Sequence, residues 1–148
     1  MSATNEFVIF RIEREYYGIN IHHVENIEKI LPITRIPYTK PYIQGVVNLR
    51  GNIIPIVHVR KRFLMPEKDF TDESRIIITH IGETKIGLIV DSSSEVLQLE
   101  ASSIEDAPVI RGTNDQDFIR QVGKHDGRII MLIDLPKVLG LEEADLTH

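Results

Sequence analysis

The chain has 148 residues, 42% of them hydrophobic and 26% charged, and a formal net charge of −5. That is the make-up of one globular domain, which buries roughly 68–70% of its unfolded surface and needs no metal or disulfide to fold. Cysteine is absent, which excludes disulfides, thiolate metal sites and cysteine nucleophiles and suits a reducing cytoplasm, and the 22 acidic residues against 17 basic ones disfavour a nucleic-acid partner.

At the N-terminus, Met1–Glu6 lacks the basic and apolar regions of a secretion signal. No later apolar run approaches the ~20 residues of a bilayer span, so direct membrane insertion is not expected. Phe7–Ile12 and Tyr16–Ile21 are short runs separated by the polar Glu13-Arg14-Glu15. In the second, Tyr17, Ile19 and Ile21 alternate with Gly18 and Asn20, the period of a half-buried strand, so the pair predicts a hairpin. Ile21, Val24 and Ile27 are spaced three apart and predict one or two helical turns.

Further strands are expected at Gly45–Leu49, Ile53–Val59, Arg75–Ile81, Lys85–Val90, Glu95–Leu99 and Arg128–Ile133. Pro55 has no N–H and places its strand at an edge or a bulge. Asp126-Gly127 is a tight-turn signal before the last strand. Ile129, Met131 and Ile133 alternate with Ile130 and Leu132, so that strand is apolar on both faces. Two-sided apolarity and about nine closely spaced strands favour barrels or packed sheets over an α/β fold. Asp134, Pro136 and Gly140 mark the cap, first turn and stop of a short final helix, and an acidic tail follows from Leu141 to His148.

Chemistry is sparse. His22 and His23 are adjacent, so their side chains diverge, and no third ligand stands at zinc spacing. His58, His80 and His125 lie in strands or a hairpin and are read as satisfied polar residues. Asp91-Ser92-Ser93-Ser94 is a turn after a buried strand, not a nucleophile elbow. There is no phosphate-cradling glycine loop. Arg60-Lys61-Arg62 is read as a solvated basic strand end, with docking of an acidic partner as the weaker reading. No catalytic constellation, cofactor site or metal site is expected.

The segment Gly45-Val46-Val47-Asn48-Leu49-Arg50-Gly51 carries more signal. Gly51 and Asn52 tolerate positive φ, so the chain can reverse there and lift Arg50 to a hairpin tip. On physical grounds Arg50 is either a surface arginine capping carbonyls or a docking residue, and both readings stay open.

This segment, followed by Ile53, Pro55, Ile56 and Arg60, resembles the signature of the CheW family, the coupling proteins of bacterial chemotaxis. Tyr17–Ile21 with Val24 and Ile27, Ile36-Pro37, Pro41–Gly45, Ile86–Leu97 and Ile130–Asp134 resemble other parts of the same pattern, so the likeness runs from about Glu6 to Leu139. His58 and Val59 stand where the family often has aspartate and leucine, and Asn20 where aspartate is common. The resemblance implies an all-β fold of two small five-stranded Src-homology-3-like barrels around a shared hydrophobic core, interlocked over residues 6–140 with a tail at 141–148. It implies a non-catalytic cytoplasmic scaffold, associated with membrane-bound receptor arrays, that links the cytoplasmic tips of chemoreceptors to the regulatory domain of the histidine kinase CheA. Arg50 with Asn48, Leu49 and Gly51 would contact partners. Val24 and Ile27, with Val96, would face receptors in a groove between the barrels. No cofactor is implied. The start at Met1 and the tail after Leu139 fit a single module better than a piece of a CheV- or CheA-type protein. A nucleic-acid-binding barrel of the OB type would want more aromatic residues than 6% and a basic groove.

Overall fold

The computed structural model describes residues 4–37, 39–107 and 118–140; the acidic tail lies outside them. The elements run β1 (Thr4–Ile12), β2 (Glu15–Asn20), β3 (Val24–Lys29), β4 (Ile43–Leu49), β5 (Asn52–His58), α1 (Val59–Arg62) and β6 (Arg75–Ile81). They continue with β7 (Thr84–Val90), β8 (Ser92–Glu100), β9 (Ile104–Asp106), β10 (Ile119–His125), β11 (Arg128–Ile133) and α2 (Leu135–Leu139). The fold is all-β, as the short β-branched runs predict, and its described strands form two sheets. Two units divide the chain: Met1–His22 with Ser94–His148, and the inserted His23–Ser93.

The first unit holds six strands in the order β8-β1-β2-β11-β10-β9. That is one more than expected, because β9 adds three residues at the edge beside β10. The β1–β2 hairpin forms as predicted, with Ile12 opposite Glu15. Asp126 and Gly127 both take positive φ, as a tight primed turn requires, and join β10 to β11. Phe7, Ile9, Leu99, Ile130 and Leu132 bury together. Leu99 on β8 reaches β10: a Cβ on Gly123 would lie 2.7 Å from its Cδ1. Arg128 of β11 also donates to Glu95 of β8 at 3.0 Å. Strands far apart in the pairing order therefore touch, so the sheet curls around its own core. At the end, α2 is capped by the Asp134 carboxylate, which accepts from the Lys137 N–H, and stops at left-handed Gly140.

The inserted unit holds five strands in the order β3-β6-β7-β5-β4. Val47, Ile54, Ile56, Ile76, Ile78 and Ile89 form its core. The chain beyond β3 closes the sheet: Thr34 and Val46 exchange backbone hydrogen bonds of 2.8 and 2.9 Å, so the first edge meets the last. Gly45 makes this seam close enough. Its φ is 150°, and a Cβ there would sit 2.2 Å from the Thr34 carbonyl oxygen.

Two local expectations are corrected. Pro55 lies in β5, an interior strand of this sheet and not an edge. It is tolerated because β5 pairs only with β4 at that residue; the ladder to β7 starts at Ile56. The helical turns expected through Ile27 shrink to a three-residue turn at Ile21–His23, and Val24 opens strand β3.

Gly45→Ala sets a methyl group against backbone that cannot swing away, and it strains φ as well. The variant is expected to lose at least about 3 kcal/mol of stability, read as a lowered chemical-denaturation midpoint. A change under about 1 kcal/mol would show that the seam tolerates a side chain.

Candidate functional site

Leu49 pairs with Asn52, so the two residues at the turn are Arg50 and Gly51. Both have positive φ, 53° and 86°, which makes this a primed turn whose twist matches the strands. The reversal is thus one residue earlier than the sequence suggests, and Arg50 itself takes the left-handed conformation. Asn48 explains how a non-glycine holds it: its Oδ1 accepts from the Gly51 N–H at 2.9 Å and braces the turn from within. Leu49 packs on the barrel core and anchors the base of the hairpin.

The Arg50 side chain is 77% exposed, with Nη2 3.7 Å from Oε1 of Glu28 on β3. Asn26 Nδ2 donates to the same Glu28 oxygen, which orients the carboxylate. An ion pair this exposed contributes at most about 1 kcal/mol, so the guanidinium is steadied and not used up.

On β3, Val24 stands opposite Thr79 and Ile27 opposite Ile77, with a register shift between Val24 and Asn26. Thr79 and Ile77 are two apart on β6 and share a face, so the inserted residue brings Val24 and Ile27 to one face despite their spacing of three. Asn26 and Glu28 stand opposite Ile78 and Ile76, whose side chains belong to the barrel core. Val24 is half-buried and Ile27 is 37% exposed. Val96 lies on β8 and is 48% exposed, beside the Glu95 that Arg128 holds. Hairpin and β3 residues belong to the inserted unit, Val96 to the other.

Arg60 departs most from expectation. It is only 2% exposed, whereas its neighbours in sequence suggest a solvated strand end. Its guanidinium grips Asp91 through two bonds, Nε to Oδ1 at 2.8 Å and Nη2 to Oδ2, and Nη1 donates to the Pro66 carbonyl at 3.0 Å. Asp91 is therefore the counter-ion of a buried arginine as well as a turn residue. This bond set ties α1, the loop at Pro66 and the end of β7 together. The sequence spacing of thirty-one residues gives no hint of it.

His58, at the end of β5, is buried, and that burial lowers the pKa of its imidazole. It stacks on Phe70 with ring centroids 6.2 Å apart. His23 Nδ1 meets the His80 carbonyl at 3.3 Å. Among the described residues, no three His, Asp or Glu side chains converge to hold a metal, and no helix is long and apolar enough to cross a membrane.

A strand-built module that presents a braced, outward arginine on one hairpin belongs, by fold and by motif, with CheW-like domains: the family model of that description matches residues 6–143. The chain is 37% identical to the chemotaxis protein CheW of Bacillus subtilis (strain 168) over 94% of its length and 89% of the relative's. It is 36% identical to the CheW of Klebsiella aerogenes, covering 95% of this chain and 85% of that one. A crystal structure of the scaffolding protein TtCheW from Thermoanaerobacter tengcongensis superimposes with a TM-score of 0.81 at 36% identity, covering 89% and 90% of the two chains. The chain belongs to the CheW family of chemotaxis proteins.

Asp91→Asn removes the counter-charge of Arg60 and leaves a buried guanidinium uncompensated. A loss of about 3 kcal/mol is expected in denaturant unfolding, because breaking one side of a buried pair costs more than the pair contributes. A loss below about 1 kcal/mol would mean that the Pro66 carbonyl and water suffice for Arg60.

Proposed function

We propose that this chain is a non-catalytic coupling scaffold that links the cytoplasmic tips of transmembrane chemoreceptors to the histidine kinase CheA. It acts in the cytoplasm beside membrane-bound receptor arrays, with no cofactor. Membership of the CheW family supports this reading. The single observation that carries it is the Arg50 guanidinium, largely exposed at the tip of a turn whose backbone is braced by Asn48. A scaffold needs a stiff frame and outward anchors, and arginine is a residue type that interfaces favour because its planar fork makes directional contacts. Val24 and Ile27 supply an apolar face on β3 suited to a helical receptor tip, whose side chains would anchor on it. Val96 is a further apolar anchor on the other unit.

Arg50→Glu tests the hairpin. It removes an exposed ion pair that contributes little to stability, so the fold is expected to survive with less than about 1 kcal/mol lost. Kinase stimulation in a reconstituted receptor–kinase assay is expected to fall by roughly tenfold or more, as charge reversal at a docking arginine repels its acidic partner. Full stimulation by the folded variant would remove Arg50 from the interface.

Val24→Asp is expected to weaken binding to a receptor-tip peptide more than binding to the kinase regulatory domain, both read by titration calorimetry. Equal losses for the two partners would break the assignment of β3 to receptors.

A further inference from the structure

The basic triplet Arg60-Lys61-Arg62 divides into three unlike environments. Arg60 is buried on Asp91. Arg62 sets its guanidinium 4.0 Å from the centroid of the Tyr42 ring. Lys61 turns towards a surface cavity of about 430 Å³ that it lines with Arg35 and Lys40. Ile36, Pro37 and Ile43 supply apolar wall, and none of the described lining residues carries a carboxylate. Ile36 itself is exposed.

Three cations around one concavity are not a by-product of composition, because the chain as a whole is acidic, at −5. Like charges brought together raise the local potential and attract a counter-charge. The protein already supplies one to Lys61, from a residue that lines the neighbouring cavity with His58 and Phe70. Glu67, on the loop after α1, places Oε1 2.7 Å from Lys61 Nζ. The Lys61 hydrogen bond and charge lower the pKa of the Glu67 carboxyl, and the Arg35 charge adds to the effect. Glu67 is exposed, and so is most of its side chain, which makes it a carboxylate that another can replace.

We infer that the cavity bounded by Arg35, Lys40 and Lys61 is a docking site for an acidic segment of a partner protein in which carboxylates alternate with apolar side chains, and that Glu67 holds Lys61 in the free protein. The cations take the partner's carboxylates and the wall of Ile36, Pro37 and Ile43 takes its apolar side chains. The partner displaces Glu67 as it docks. Its described lining includes neither Arg50 nor Val24, and its test needs neither a kinase nor a receptor.

The probe is a short fluorescein-labelled peptide of alternating glutamate and leucine, followed by fluorescence polarisation with the full chain. A second peptide carries glutamine in place of glutamate. Saturable binding of the acidic peptide alone is expected, weakening as salt rises from about 0.05 to 0.5 M because the screening length shrinks. Lys61→Glu and Arg35→Gln are expected to weaken it, the charge reversal by roughly tenfold or more. Glu67→Gln is expected to tighten it by a few fold, since the competing carboxylate is gone. Each variant is checked by its thermal melt, and Arg35→Gln, which leaves Lys61 in place, stands if Lys61→Glu does not fold. Equal binding of the two peptides, undiminished binding by both cation variants, or no saturable binding even by Glu67→Gln would overturn the inference. So would weaker binding by Glu67→Gln, which would make that carboxylate a support of the site and not a competitor for it.

Discussion

The inserted barrel depends on one contact: the pair of backbone hydrogen bonds between Thr34 and Val46. Without it, β3 and β4 are free edges, and a free edge exposes a row of unpaired donors and acceptors. With it, the chain after β3 lies against β4, and the hairpin that continues from β4 inherits a fixed base. Gly45 sits against the Thr34 backbone, and no other residue leaves room for the Thr34 carbonyl. Steric necessity at Gly45 and the position of Arg50, five residues on, are thus parts of one arrangement. The glycine closes the seam that holds the strand that carries the arginine.

Two of the unit's arginines, Arg60 and Arg50, show how burial divides labour. Arg60 is removed from water and held by three hydrogen bonds to Asp91 and Pro66. Losing its partner strands a charge in a low-dielectric setting, so its effect falls on stability. Arg50 stays in water, and its pairing with Glu28 is longer and screened. It contributes little to the fold and remains available to another molecule. The same side chain serves as frame in one place and as surface in the other, and solvent exposure decides which.

Much of this was legible in the sequence. Alternation and turn residues located most of the longer strands, and the Asp-Gly turn and capped final helix followed from local backbone preference, which needs no tertiary context. What failed did so for identifiable reasons. At Val24 and Ile27, one extra residue in a strand imitates the three-residue spacing of a helical turn, so periodicity alone misassigned the element. Glycine and asparagine accept positive φ more readily than arginine does, so propensity puts the turn one residue after Arg50-Gly51; the Asn48 side chain tips the balance and is silent in a propensity. Arg60 looked solvated among its charged neighbours, since its partner lies a strand pair away in sequence. The short β9 and the weakly apolar β10 offered too few hydrophobic residues to stand out. The resemblance to the CheW family added the family and the arrangement in two β units, since it rested on order and spacing along nearly the whole chain.

The division of the chain carries a consequence for how the molecule comes into being. β2 pairs in parallel with β11, with Tyr17 beside Met131. The first unit therefore cannot complete its sheet until β11, which follows the whole inserted unit, has left the ribosome. The inserted unit, His23–Ser93, is continuous and contains every strand of its own sheet. Local contacts form before distant ones, because closing a long loop costs more entropy. Synthesis thus delivers the hairpin-bearing barrel first, while β1 and β2 wait with an unfilled edge for a strand made after it. During that interval the early strands are the part of the nascent protein most exposed to wrong partners.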